Sequence, residues 1–99
     1  MVIFVNGVVP SCDTAQQGYA VFKVLSNALS HSDKPIRVDF AHIPNVTSSF
    51  VNTAFIPLLD ALPFDEIKRR VVVVGANRQI ANMLRTRMSA HSQRKAVAA

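Results

Sequence analysis

Four consecutive valines at positions 71–74, followed directly by Gly75, constrain the fold more than any other feature of the sequence. A continuous run of β-branched residues that ends in a turn residue predicts a strand. Because the run has no polar alternation, it predicts a central strand that is buried on both faces, as in parallel sheets that helices cover. The rest of the chain should therefore supply neighbouring strands and crossover helices.

The flanking segments have the periodicities that such a sheet requires. Residues 2–5 form a short β-branched and aromatic run, and residues 36–40 alternate apolar and polar side chains, so both segments predict strands. Apolar residues recur at helical spacing over residues 15–30, 50–61 and 77–88. The order strand, helix, strand, helix, strand, helix predicts an α/β fold, a βαβαβα sandwich with a mostly parallel sheet and helices packed on it.

Local signals refine this prediction at three positions. Asn6-Gly7 between apolar residues is typical of a hairpin turn, so residues 8–9 could form a returning strand. Asp13 and Thr14 are both candidates for the N-cap of the first helix, since each has a glutamine three residues later. Pro57 should kink the second helix, whose apolar side chains lie nearly all round it and predict burial or a covering partner.

Length and charge bound the organisation of the chain. Ninety-nine residues fit a single domain, which we predict over residues 1–89, with a disordered basic tail over residues 90–99. The net charge is +5, and Arg85, Arg87, Arg94 and Lys95 carry four of the positive charges. A single cysteine, no stretch of about 20 apolar residues and no signal-peptide pattern together predict a cytoplasmic protein.

Three parts of the sequence resemble STAS domains, the fold of bacterial anti-sigma factor antagonists. The resemblance covers residues 2–88 and is closest to small stand-alone STAS-like proteins of unassigned function. Its parts are a strand that reaches Gly7 before a helix at Thr14, a strand at residues 36–40 that leads into Thr47-Ser48-Ser49-Phe50, and the valine strand before Asn77. The antagonists have Asp-Ser-Ser-Gly at the second place, so Thr47 stands where they have Asp and Phe50 where they have Gly.

The resemblance implies a non-enzymatic protein-interaction module of bacterial signalling. Its partner would be a regulatory protein or a histidine-kinase-type ATPase. A homodimer is a further possibility, because a predicted sheet of about three strands is thin for a stable monomer. In the antagonists the first serine of the pair is phosphorylated, which implies phosphorylation of Ser48. A helix N-terminus can hold a phosphate, which changes the local charge by about −1.5 to −2. The implied docking surface consists of His42, Asn45, Thr47, Ser48, Ser49, Phe50 and Asn52. The alternative is that Ser48 or Ser49 is only the N-cap of the helix.

Two other functions are open from the residues alone. A nucleic-acid-binding accessory protein would use the basic residues of the last helix and tail, which are Arg78, Arg85, Arg87, Arg94 and Lys95. Aromatic residues are scarce near these cations, which disfavours base stacking and makes nucleic acid the weaker alternative.

An enzyme or a sulfur carrier would use Cys12, because a thiol pKa can fall before a helix start. No second cysteine and no phosphatase-loop arginine accompany Cys12, so a buried, inert thiol is the simpler interpretation. His31, His42 and His91 lack ligand spacing, and no Gly-rich phosphate loop is present, so we predict neither a metal nor a cofactor.

Overall fold

Within residues 1–98 the chain forms three short strands and six helices. A computed structural model describes the backbone of these residues and the side chains of residues 1–92. In chain order the elements are β1 (Val2–Phe4), α1 (Val5–Val8), α2 (Ala15–His31), β2 (Ile36–Asp39), α3 (Ser48–Ala54), α4 (Leu58–Ala61), α5 (Phe64–Arg70), β3 (Val71–Val74) and α6 (Arg78–Ala98). The predicted α/β fold class, with a small parallel sheet and helices packed on it, is confirmed.

The sheet has the order β1-β2-β3, and both strand pairs are parallel. The valine run is therefore an edge strand, so the prediction of a central position with both faces buried is wrong. Val71 is buried, whereas Val72 and Val73 are each 37% exposed. β-Branched side chains fit any pleated surface, and the valine run alone did not fix how many neighbouring strands it has.

The two faces of the sheet differ in what covers them. Ile3, Ile36, Val38 and Val71 lie on the inner face and are buried against the helices. The opposite face, here called the outer face, consists of two rows set by the strand register. The rows are Val2, Arg37, Val72 and Phe4, Asp39, Val74. These side chains are exposed or half-buried, so within the described part of the chain no helix covers the outer face.

Helices α2 and α3 approach each other closely at Gly18. A Cβ atom added to Gly18 would lie 2.6 Å from the carbonyl oxygen of Phe50, which leaves no room for a larger residue. Thr14, one of the two predicted candidates, is the N-cap of α2. Its side chain accepts from the Gln17 amide, and the Gln17 side chain accepts from the Thr14 amide, which together form a capping box. The close approach of Gly18 to Phe50 places the start of α3 beside the start of α2.

The predicted second helix is two helices separated by a turn. α3 ends at Ala54, and Pro57 forms the N-cap of α4, where its fixed φ of −61° is compatible with a helix start. Phe50, Val51, Ala54 and Phe55 are buried within the monomer. The apolar side chains predicted either burial or a covering partner, and these four are buried in the domain's own core.

The Asn6-Gly7 segment forms a helical turn rather than a hairpin. Residues 5–8 make up α1, and the Val9 amide donates to the Val5 carbonyl oxygen at 3.0 Å. The expected returning strand at residues 8–9 is therefore wrong. Val5 and Val9 are buried, so the turn keeps apolar contact with the core on both sides.

Helix α6 continues past residue 89, where we predicted the start of a disordered tail. Ala90, His91 and Ser92 are half-buried, and His91 Nε2 lies 3.6 Å from Asp60 Oδ1. The structure differs from the prediction at these residues because the sequence has no glycine or proline there to end the helix. Ala99 and the side chains of residues 93–98 lie outside the described part of the chain. No helix among residues 1–98 combines the length and the apolarity needed to cross a membrane.

Candidate functional site

Thr47 fixes the start of α3 at the edge of the sheet where the strands end. Its hydroxyl accepts from the Phe50 amide at 3.2 Å and donates to the Asp13 carbonyl oxygen at 2.8 Å. Its own amide donates to the Cys12 carbonyl oxygen at 3.1 Å. Thr47, and neither serine, is therefore the N-cap of α3, and it also ties this helix to the loop before α2.

Ser48 and Ser49 follow the cap as the first two residues of α3. Ser48 is half-buried and Ser49 is exposed. Among the residues with described side chains, neither hydroxyl has a hydrogen-bond partner. Because Thr47 performs the capping, both serine hydroxyls are free for another role. Asn52 lies one turn further along α3 and is also exposed.

His42 and Asn45 belong to the loop that connects β2 to α3, and both are exposed. His42 has a φ of 67°, a left-handed conformation, and lies three residues after the end of β2. Two side chains of the α6 region hold the loop. Gln79 pairs with the amide and the carbonyl of Val46 at 3.0 and 2.9 Å, and Asn77 Nδ2 donates to the Pro44 carbonyl oxygen at 2.8 Å. The loop is thus fixed to the helix that follows β3.

Sequence reasoning missed the role of Gln79. Asn77 lies at the start of the predicted last helix, where an asparagine is a common cap, and its Oδ1 accepts from the Ile80 amide at 3.0 Å. Gln79 lies 33 positions from Val46 and has no local signal, because its role depends on the tertiary contact.

Phe50 does not belong to the exposed surface that the sequence predicted. Its side chain is 0% exposed, so it cannot contact a partner while the domain is folded. The correction has a simple physical reason, since Phe50 lies on the side of α3 that faces α2 and the core. The other six predicted residues remain accessible at least in part, and we call them the α3 rim: His42, Asn45, Thr47, Ser48, Ser49 and Asn52.

Cys12 is buried next to the α3 rim, with 1% of its surface exposed. Burial, together with the negative charge of Asp13, raises the pKa of the thiol from 9.0 to about 11. A reactive cysteine requires a lowered pKa, whereas the pKa of Cys12 is raised, so the thiol stays protonated at neutral pH.

The reactivity of Cys12 should reflect this environment. We expect iodoacetamide at pH 8 to alkylate the native protein at least ~100-fold more slowly than the unfolded protein, because a pKa near 11 lowers the thiolate fraction by about that factor. Mass spectrometry of quenched samples measures both rates, and the same reaction in denaturant is the control. Equal rates would contradict the buried, protonated thiol.

The residues of the nucleic-acid alternative are only partly described. Arg78 and Arg85 are exposed on α6, Arg87 is half-buried, and Arg85 donates to Asn82 Oδ1 at 2.8 Å. The side chains of Arg94 and Lys95 lie outside the described residues, so nucleic-acid binding stays a prediction. As far as side chains are described, no group of three or more potential metal ligands comes together.

A second surface feature was not anticipated from the sequence. A groove of about 550 Å³ lies between α5, β3 and α6, and its lining includes Phe64, Val73 and Leu84. Lys68 and Arg85 also line it. The groove depends on how two helices pack beside an edge strand, so no local pattern could have indicated it. It does not include the α3 rim.

Within its described residues the chain has a three-stranded parallel sheet covered on one face and a serine pair at the helix start after the second strand, an arrangement that is compatible with a STAS-like fold. The chain belongs to the family described as STAS-like domains of unknown function, whose family model matches residues 17–81. No curated protein matches the chain. No solved structure matches it either.

Proposed function

We propose that the chain is a non-enzymatic protein-interaction module of bacterial signalling, similar in role to an anti-sigma factor antagonist. Its partner would be a regulatory protein or a histidine-kinase-type ATPase in the cytoplasm. Membership of the STAS-like family supports the general class. The observation that carries the proposal is the hydroxyl of Ser48, which lies in the polar α3 rim and has no hydrogen-bond partner among the described side chains. Thr47, and not Ser48, caps α3.

The α3 rim suits docking because its backbone is held before any partner arrives. Thr47 bonds to the loop before α2, and Gln79 and Asn77 hold the loop that carries His42 and Asn45. A surface that is already ordered loses little conformational entropy on binding. Phe50 contributes indirectly, since its buried ring fixes α3 while Ser49 and Asn52 on the same helix are exposed.

Phosphorylation of Ser48 would switch this surface electrostatically. The free hydroxyl can take a phosphate without breaking any hydrogen bond among the described residues. The added charge of about −1.5 to −2 would lie beside Ser49 and Asn52, which are uncharged. A partner that docks on the neutral rim would then meet a strong negative charge, and its affinity would fall.

The switch is tested by intact-mass analysis of protein expressed in cells that also express its neighbouring genes. We expect one phosphate on the wild type and on Ser49→Ala, and none on Ser48→Ala. Absence of phosphate from the wild type, or its persistence in Ser48→Ala, would contradict Ser48 as the acceptor.

The docking surface is tested by co-purification with the tagged chain, followed by identification of the bound protein. We expect Ser48→Asp to reduce recovery of the partner at least ~10-fold, because it places a charge on the rim. Thr86→Asp is the matched control, since it adds the same charge to an exposed position on α6. Equal loss in both variants would remove the α3 rim from consideration.

A further inference from the structure

The outer face of the sheet is unusual because nothing described in the chain covers it. All-parallel sheets occur almost only with both faces covered, since their connections and packing bury the apolar side chains of the strands. Here all three strands are parallel, and among the described side chains the buried core lies on the inner face alone. As far as the chain is described, the outer face therefore lacks a layer that a sheet of this type ordinarily has.

The two edge strands give this face an apolar character. On β1, Val2 is 43% exposed and Phe4 is 55% exposed, and on β3 Val72 is 37% exposed. Val74 completes the set and is half-buried. Val2 and Phe4 adjoin each other along β1, and Val72 and Val74 do so along β3, so these exposed side chains are not isolated ones of the ordinary kind.

The central strand places one positive and one negative charge between these apolar columns. Arg37 lies in the row of Val2 and Val72, and Asp39 lies in the row of Phe4 and Val74. Among residues 1–92 no carboxylate forms an ion pair with Arg37. The Asp39 Oδ1 atom accepts from the Ala41 amide at 2.8 Å, and no bond to Oδ2 is found among those residues.

We propose that a second copy of this chain covers the outer face. A two-fold axis that runs in the plane of the interface and across the strands makes the facing strands antiparallel. Arg37 then faces the partner's Asp39, and Asp39 faces the partner's Arg37. The same operation sets Val2 against the partner's Phe4 and Val72 against the partner's Val74. The pattern is thus self-complementary in charge and in apolarity, which a two-fold interface requires.

The size of the face determines how strong this contact is. Three strands about 4.8 Å apart and about four residues long span roughly 14 by 13 Å. That area is well below the ~800 Å² per partner of a standard interface, so the dimer belongs to the weak class. The two ion pairs fix the orientation of the copies, because a shift by two residues along the strands sets Arg37 against the partner's Arg37 or Asp39 against the partner's Asp39.

Analytical ultracentrifugation of the full chain tests the proposal at concentrations up to about 1 mM and at low salt. We expect the wild type to dimerise in the upper part of this range and Arg37→Glu to abolish detectable dimerisation, because the introduced carboxylate would face the partner's Asp39. Asp39→Lys should have the same effect. An equimolar mixture of the two variants should dimerise again, since each then offers the charge that the other lacks.

Arg85→Glu is the matched control, because it makes the same change of charge at an exposed position of the groove beside α6. Asp39→Lys could unfold the chain by removing the acceptor of the Ala41 amide, so circular dichroism accompanies each measurement. Phe4→Asp tests the face without touching Asp39, and it should also give a monomer. A wild type that stays monomeric up to about 1 mM overturns the proposal. So does a dimer that both Arg37→Glu and Phe4→Asp leave intact, or folded variants that fail to restore each other.

Discussion

Replacing Gly18 by alanine should lower the free energy of unfolding by about 2–3 kcal/mol, although the same change in a helix ordinarily raises it by about 1 kcal/mol. The added Cβ would lie 2.6 Å from the Phe50 carbonyl oxygen and 2.9 Å from Thr53 Cβ. The first of these atoms belongs to the backbone of α3, so the two helices must separate to make room. Gly18→Val should cost about 4 kcal/mol or more, because its extra methyl groups meet the same obstacle.

Urea denaturation followed by circular dichroism measures these changes. Gln16→Ala is the matched control on α2, because Gln16 is exposed and alanine has the higher helix propensity. We expect this control to change stability by only a few tenths of a kcal/mol. If Gly18→Ala were more stable than the wild type, α2 and α3 would not approach each other as the structure shows.

The elements of the fold could be predicted because their signals are local. The alternation over residues 36–40 correctly placed Ile36, Val38 and Phe40 on one buried face. The glutamine three residues after Thr14 indicated the capping box that the structure contains. Each of these signals spans a few residues, and each is read directly from spacing.

The arrangement of the elements could not be predicted in the same way. The valine strand was expected at the centre of the sheet, yet it lies at an edge, because strand order is set by contacts between distant segments. For the same reason the open outer face had no counterpart in the sequence analysis. The rows of the outer face result from the pairing of distant strands, which sets Val2 and Val72 on either side of Arg37.

The candidate site was half predictable. A helix start at the serine pair followed from the resemblance, and the structure has α3 beginning at Ser48. Sequence reasoning placed Phe50 on the surface because apolar residues lie nearly all round this helix, and a short segment of that kind fits either a core or a docking face. Only the packing of α3 against α2 distinguishes the two.

Phe50→Ala should lower the free energy of unfolding by about 3–5 kcal/mol, since it removes a fully buried ring from the core. Phe50→Leu should cost far less, because leucine keeps most of the buried volume and leaves the α3 rim unchanged. Urea denaturation measures both losses, and Ser49→Ala on the exposed side of α3 is the control, expected within about 0.5 kcal/mol of the wild type.

The same variants separate a structural role for Phe50 from a contact with the partner. If Phe50 only fixes α3, the Phe50→Leu protein should bind the partner as well as the wild type does at temperatures where both are folded. Ser48→Asp should then reduce binding while leaving the unfolding free energy nearly unchanged, because Ser48 makes no hydrogen bond among the described side chains. A folded Phe50→Leu protein that loses the partner would contradict a purely structural role for Phe50. A Phe50→Ala protein as stable as the wild type would show that the ring is not enclosed in the core.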